Sequence, residues 1–329
     1  PEDELPGAGL SAYELLDSLG SDGGVRTLLV MATNPAVSAP HARHVQARLG
    51  RLDFLAVADF FLSETAQVAD VVLPAAQWAE DGGTMTNLEG RVILRQAAAS
   101  PPHDARPDWQ ILAALAERLG AGQYFRFADQ EDIFDELRRA SAGGLADYNG
   151  ISYNKIAANN GVFWPCPTDE HPGTPRLFQN GFPTMDGRAR FHAVTYAASA
   201  EEPDEAYPIR LTTGRLLGQY QSGTQTRRVA ALREQAPEPM ADMHPRLAKQ
   251  YGVREGQLVH LSSRRGAAHL RAHITPGIRP DTIFVPFHWG GCQSANNLTN
   301  PALDPVSRMP EFKVCAVALE HGCEDTNGD

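Results

Sequence analysis

Thr27-Leu28-Leu29-Val30-Met31-Ala32 is a short apolar run that stops at the polar turn Thr33-Asn34-Pro35. A run of this kind suits a strand covered on both faces, as in a parallel sheet. Outward from it, His41 to Leu49 predicts a helix, and Leu52-Asp53-Phe54-Leu55-Ala56-Val57-Ala58 a second strand. Ser63-Glu64-Thr65 opens a polar turn, and Asp70-Val71-Val72-Leu73-Pro74 reads as a third strand ended by its proline. Spacings of about 20 residues between strands fit βαβ units.

Further along, Asp81-Gly82-Gly83 reads as a tight turn followed by an extended excursion through Gln96. Asp108 to Leu119 predicts a helix with Ile111, Leu112, Leu115 and Leu119 on its inner face. Glu131 to Ala140 predicts another, with Ile133, Phe134 and Leu137 inward. From Gly143 to about Pro208 proline and glycine punctuate the chain too often for long elements. The last third reads as β, with strands expected at Ile209–Thr213, Leu258–Ser262, Ala267–Ile274, Thr282–Val285 and Phe312–Leu319. Short strands at such spacing suggest a barrel. One short helix is expected around Pro245-Arg246-Leu247-Ala248, and a hairpin turn at Arg264-Arg265-Gly266. The expected fold class is an α/β portion with a mainly parallel sheet, followed by a β-barrel. Its boundaries fall at 1–145, a loop-rich connection 146–205, the barrel 206–320 and a polar tail 321–329.

Composition bounds the function. The chain has 329 residues, which suggests about two domains. Hydrophobic residues make up 42% and charged residues 21%, which disfavours disorder or coiled coil. Net charge is −11 with dispersed basic residues, arguing against a nucleic-acid partner. No apolar run is long enough for a membrane span. Cys166, Cys292, Cys315 and Cys323 form no CxxC pair, so a reducing, cytoplasmic compartment is expected. The opening Pro1-Glu2-Asp3-Glu4 carries no signal-peptide pattern and suggests a piece of something longer. There is no GxGxxG after a strand, no GxxxxGK[ST], no HExxH and no Cys/His metal spacing.

Polar clusters remain at strand ends. Asn34 follows the first strand, where open α/β sheets bind ligands, but it also suits a plain turn. Glu64 and Thr65 follow the second strand, and a carboxylate there can cap a helix or meet a ligand. Thr212-Thr213-Gly214-Arg215 closes a barrel strand with hydroxyls, a glycine and a guanidinium, a set suited to phosphate. Thr224-Gln225-Thr226-Arg227-Arg228 repeats that chemistry. Asn296 and Asn297 carry both donors and acceptors, which suits heterocycle edges. His288 beside Trp289 reads as a packed residue, and Lys313 as either a snorkelling strand residue or an anion contact.

Taken in order, these pieces resemble the molybdopterin oxidoreductase family. The resemblance rests on Val30 to Pro35, Glu64-Thr65 with Ala69 to Ala75, and Gly83-Thr84 with Asn87 to Arg91. It continues through Leu211 to Arg215, Thr224 to Arg227, and Asn296 to Lys313. It implies the later half of a cofactor-binding α/β domain and a C-terminal double-psi β-barrel domain. It implies a bis-molybdopterin guanine dinucleotide cofactor with Mo, contacted by Asn34, Glu64 and Thr65 from the α/β side. From the barrel, Thr213, Arg215, Thr226, Arg227, Asn297 and Lys313 would contact pterins and phosphates. No metal ligand is expected within the chain, and a [4Fe-4S] cluster would belong to a missing N-terminal part. Trp164-Pro165-Cys166, His171 to Phe178 and Gln219 to Gly223 are similar to bacterial nitrate reductases. Formate dehydrogenases often carry histidines where Gln219 and Gln221 stand. The implied reaction is nitrate to nitrite by oxygen-atom transfer, with formate oxidation as the alternative. The implied partner is an electron donor such as ferredoxin, flavodoxin or a NADH-linked reductase. A noncatalytic double-psi barrel binding module is the alternative of another class.

Overall fold

The computed structural model describes residues 7–321. The opening Pro1 to Glu4 and, apart from His321, the tail expected over 321–329 lie outside the described residues. The chain begins with helix α1 (Ala12–Ser18), then β1 (Thr27–Met31), α2 (Pro35–Ser38), α3 (Ala42–Leu49), β2 (Phe54–Asp59) and β3 (Val71–Pro74). The three strands form one sheet in the order β1-β2-β3. β1 and β2 run parallel, with Thr27 opposite Phe54 and Met31 opposite Ala58. Ala42, Val45 and Leu49 of α3 recur at helical spacing and are all buried. Val45 and Leu49 pack with Leu19, Val30, Leu55 and Val57 into the local core. The apolar run at Thr27 thus forms the strand that its composition demands.

The middle of the chain forms β4 (Gly83–Thr86), β5 (Arg91–Arg95), α4 (Asp108–Arg118), α5 (Gln130–Ser141), α6 (Tyr153–Asn159) and β6 (Val162–Phe163). The strands make an antiparallel sheet, β4-β5-β6. Val92, Phe134, Ile151, Ile156 and Val162 form its core. The helices sit where periodicity places them, but their inner faces are narrower. On α4 only Ile111 and Ala116 are buried, while Leu112, Leu115 and Leu119 are exposed. On α5 only Phe134 is buried, and Leu137 is exposed. Helix α6 and β6 fall within the stretch read as irregular. Ser152 caps α6 by accepting the Lys155 N–H, and Asn160 ends it in the left-handed region. From Trp164 to Pro208 there is neither helix nor strand.

The last third contains β7 (Ile209–Gly214), α7 (Ala230–Gln235), β8 (Met240–Met243), α8 (Pro245–Tyr251), β9 (Leu258–Ser263), β10 (Gly266–Ile274), β11 (Thr282–Pro286) and β12 (Cys315–His321). The six strands close a barrel in the order β10-β8-β11-β7-β12-β9. β7 pairs parallel with β11, and β8 with β10; the other pairs are antiparallel. Alternate residues of β7 (Ile209, Leu211, Thr213) and β9 (Val259, Leu261, Ser263) point inward, the period-2 pattern of a covered sheet. Sequence reading misses β8, because Pro237-Glu238-Pro239 in front of it reads as a turn and the strand has four residues. Phe312, expected to start the last strand, precedes it instead, because its N–H turns back to the Pro310 carbonyl.

The chain divides into two compact units. Residues up to Leu73 together with those from Tyr196 onward form one, and Pro74–Thr195 the other. The first α/β strands therefore belong with the barrel. Glu201, shortly before the expected start of the barrel at 206, is anchored within this unit by Arg264, Arg265 and the Ala316 N–H.

Candidate functional site

At the carboxyl end of β1, Ala32 adopts φ 53°, a left-handed conformation that is uncommon for a residue with a Cβ. It turns the chain so that the Asn34 side chain reaches the loop after β2. Asn34 is buried and uses its whole amide. Its Oδ1 accepts from the Thr65 N–H at 3.1 Å and the Thr65 hydroxyl at 2.7 Å. Its Nδ2 donates to Glu64 Oε2 at 2.7 Å and Ser222 Oγ at 3.2 Å. Thr65 Oγ1 also accepts the Ala36 N–H at 3.1 Å. Asn34, Glu64 and Thr65 thus form one knot, and Glu64 serves as an ion-pair partner there.

That partner is Arg227, whose Nη2 lies 3.3 Å from Glu64 Oε1. Arg227 Nη1 donates to the Ser222 carbonyl at 2.8 Å and to the His288 carbonyl. Burial pushes the Arg227 guanidinium below its usual value, with Glu64 opposing the shift. Thr226 donates to Gln219 Oε1 at 2.6 Å and accepts the Tyr220 N–H. Gln219 Nε2 in turn donates to the Ala236 carbonyl. These contacts fold the loop after β7 onto itself.

On the barrel side, Thr213 is buried and donates to the Phe312 carbonyl at 3.1 Å, while its own carbonyl accepts Lys313 Nζ at 2.9 Å. Lys313 also lies 5.2 Å from the Phe287 ring centre. Burial, then the charge of Arg215, holds the Lys313 ammonium below the usual lysine range. Arg215 is exposed and makes no hydrogen bond or ion pair among the described residues.

A cavity of about 580 Å3 lies among these groups, within the unit that holds both the first sheet and the barrel, and Arg215 is not one of its lining residues. Asn34, Thr213 and Lys313 line it directly. Glu64, Thr65 and Arg227 stand behind the lining, tied to Asn34 and Ser222. Thr226 braces the loop through Gln219. Asn297 is buried away from the cavity and donates to the Ala267 and Gly291 carbonyls. Its neighbour Asn296 lines the cavity instead, while its Nδ2 bonds the Val37 carbonyl at 2.7 Å.

Several lining residues escape the sequence reading. Asp59 and Phe60 end β2, and the strand-end rule that singles out Asn34 applies to them equally. Thr224 and Gln225 sit inside a cluster chosen for its arginines, and Ser222 in the Gln219–Gly223 stretch cited for its similarity to nitrate reductases. Phe287 and Phe312 give an apolar, aromatic side to the cavity, and no local signal separates them from core residues.

Comparison with known proteins follows the same geometry. The Molydopterin dinucleotide binding domain family matches residues 209–316, which include the barrel side of the cavity. The Molybdopterin oxidoreductase family matches residues 9–118, which include β1, β2 and Asn34. The chain is 47% identical over 320 residues to the assimilatory nitrate reductase catalytic subunit of Bacillus subtilis. That match takes in 97% of this chain and 45% of the relative. It is 44% identical to the F420-dependent formate dehydrogenase subunit alpha of Methanocaldococcus jannaschii, over 96% of this chain and 46% of that one. The chain therefore spans a little under half the length of these relatives. Among solved structures, acetylene hydratase from Pelobacter acetylenicus shares the fold, with a TM-score of 0.71 at 18% identity. That similarity covers 94% of this chain and 46% of the hydratase chain.

Proposed function

Because this chain belongs to the molybdopterin oxidoreductase family, we propose that its cavity holds a molybdopterin dinucleotide and that it forms part of a nitrate-reducing catalytic subunit. One observation carries the proposal: side chains from the turn after β1, from β7 and its loop, and from the segment before β12 converge on one cavity, and each family match supplies a side of it. The donor set fits such a cofactor. Amides and hydroxyls suit the edges of a pterin or guanine, and cations suit a pyrophosphate. Phe287 and Phe312 offer ring faces for stacking.

Thr213, Asn296 and Lys313 would meet the cofactor directly, and Asn34, its amide already bonded within the protein, would line the wall beside it. Arg215, free of protein partners among the described residues, would pair with a phosphate. Glu64, Thr65, Thr226 and Arg227 would hold the contact groups in place, and Asn297, bonded to the Ala267 and Gly291 carbonyls, would support them in the same way. When bound, the cofactor supplies the two-electron chemistry that converts nitrate to nitrite. The protein's part is to bind it, orient it and keep its charge paired. The full subunit would also carry a [4Fe-4S] cluster, take electrons from a donor such as ferredoxin, flavodoxin or a NADH-linked reductase, and act in the cytoplasm. Among the described residues no helix is long and apolar enough to cross a membrane.

Formate oxidation is the second reading, supported by the 44% identity to a formate dehydrogenase subunit. Of the two glutamines that distinguish the readings, Gln219 is buried in bonds to Thr226 and Ala236, whereas Gln221 lines the cavity. Gln221 is therefore the more informative position. Viologen dye assays on the full-length protein separate the two reactions. Nitrate-dependent oxidation of reduced dye supports the proposal; formate-dependent reduction of oxidised dye without nitrate turnover overturns it.

A further inference from the structure

His288 is fully buried two residues beyond the strand β11 and is engaged at both ring nitrogens. The Leu216 N–H donates to its Nε2 at 2.9 Å. An acceptor nitrogen carries no proton, so the ring's proton sits on Nδ1 and is donated to the Gln221 carbonyl at 2.6 Å. The imidazole thereby joins the start of the loop after β7 to its middle. The His288 carbonyl reaches the far end by accepting Arg227, which also holds the Ser222 carbonyl. Between these three points lie Tyr220, Gln221, Ser222, Thr224 and Gln225, all of which line the cavity.

We infer that His288 is a positioning residue, whose neutral ring fastens the 216–227 loop in place as one wall of the cavity. Only the neutral Nδ1–H form makes both bonds, because a protonated ring presents a hydrogen to the Leu216 N–H. The charged groups facing the ring resist that protonation. Arg215 follows β7 and Arg227 closes the loop, both acting on the ring, while Lys313 stands over the adjacent Phe287; among the described residues Glu64, paired with Arg227, is a nearby charge of opposite sign. Burial first, then Arg215 and Arg227, lowers the ring below the ordinary histidine value, against the bond to Gln221. Below the ordinary histidine value of about 6.5 an unfolded ring protonates first, so stability declines there, while the folded ring stays neutral and the fastening is lost only as pH falls through the lower folded value. That this loop shapes ligand binding rests on the cofactor reading; the fastening itself does not.

The test uses the full-length protein that contains this chain. Nitrogen-15 NMR reads the ring tautomer and its titration, and amide hydrogen exchange reads the loop on the same sample. The expected result is a Nδ1–H ring at neutral pH. As the ring protonates, Leu216 and Gln221 to Gln225 should exchange about tenfold or more faster, after correction for intrinsic rates, while β11 amides hold. His288→Phe keeps the bulk and should give the fast loop at every pH. A Nε2–H tautomer, a loop whose opening does not track the ring titration, or a pH step that survives His288→Phe overturns the inference. Should His288→Phe not fold, the wild-type comparison decides alone. Loss of the cofactor reading would leave these measurements unchanged, so the two failures are distinguishable.

Discussion

Asn34 uses one buried amide to meet Thr65, Glu64 and Ser222, so its removal leaves several groups unpaired at once. Asn34→Ala should cost about 1–3 kcal/mol, read from the denaturant midpoint at constant slope. An unchanged midpoint would show that water replaces the amide. Arg215→Ala should behave in the opposite way. Its exposed side chain pairs with nothing among the described residues, so stability should hold while molybdenum content of the full-length protein falls. Unchanged metal occupancy would remove Arg215 from the site. Sequence alone makes a position on the cavity legible where a polar residue ends a strand, as at Asn34 and Thr213. Glu64 shows the limit. Its neighbours in sequence suggest a helix cap, whereas its partners Asn34 and Arg227 lie 30 and 163 residues away.

At the scale of elements, the loop after β7 depends on one backbone choice. Gly223 sits at φ +70°, and a Cβ there would lie 2.3 Å from Arg227 Nη1 and 2.7 Å from the His288 carbonyl. Gly223→Ala should therefore cost about 1–3 kcal/mol and loosen the loop more than the barrel. Hydrogen exchange by segment distinguishes this from uniform destabilisation. Periodicity locates β1, β2, α4, α5 and most barrel strands because each buries at least one residue at regular spacing. It overstates α4, where Leu112, Leu115 and Leu119 share a helical face that the fold leaves exposed. Burial of that face depends on distant chain, which a local pattern does not contain. The strand β8 is hidden for the reverse reason: four residues behind two prolines carry too little period to register, yet they close the barrel.

For the whole molecule, the unit that unites the first sheet with the barrel carries a nearly buried ion pair. Arg265 and Glu201 are 9% and 10% exposed at their side chains. Burial alone would raise the Glu201 carboxyl, but Arg265, the Ala316 N–H and Arg264 together hold it below the usual glutamate value. A depressed folded value means its contribution is complete above the unfolded value and is lost as pH falls through the folded one. Unfolding free energy should thus decline on acidification through the carboxylate range. Glu201→Gln should flatten that slope and cost about 3 kcal/mol at neutral pH by leaving Arg265 without its counter-charge. An identical acid slope in the variant would place the sensitivity elsewhere. The central claim is that the cavity between β1, β7 and Lys313 receives a molybdopterin dinucleotide. The most direct measurement is the molybdenum and guanine nucleotide released from the purified full-length protein, wild type beside Lys313→Ala. Both should be present in the wild type and fall in parallel in the variant. A wild-type protein that carries neither would contradict the claim.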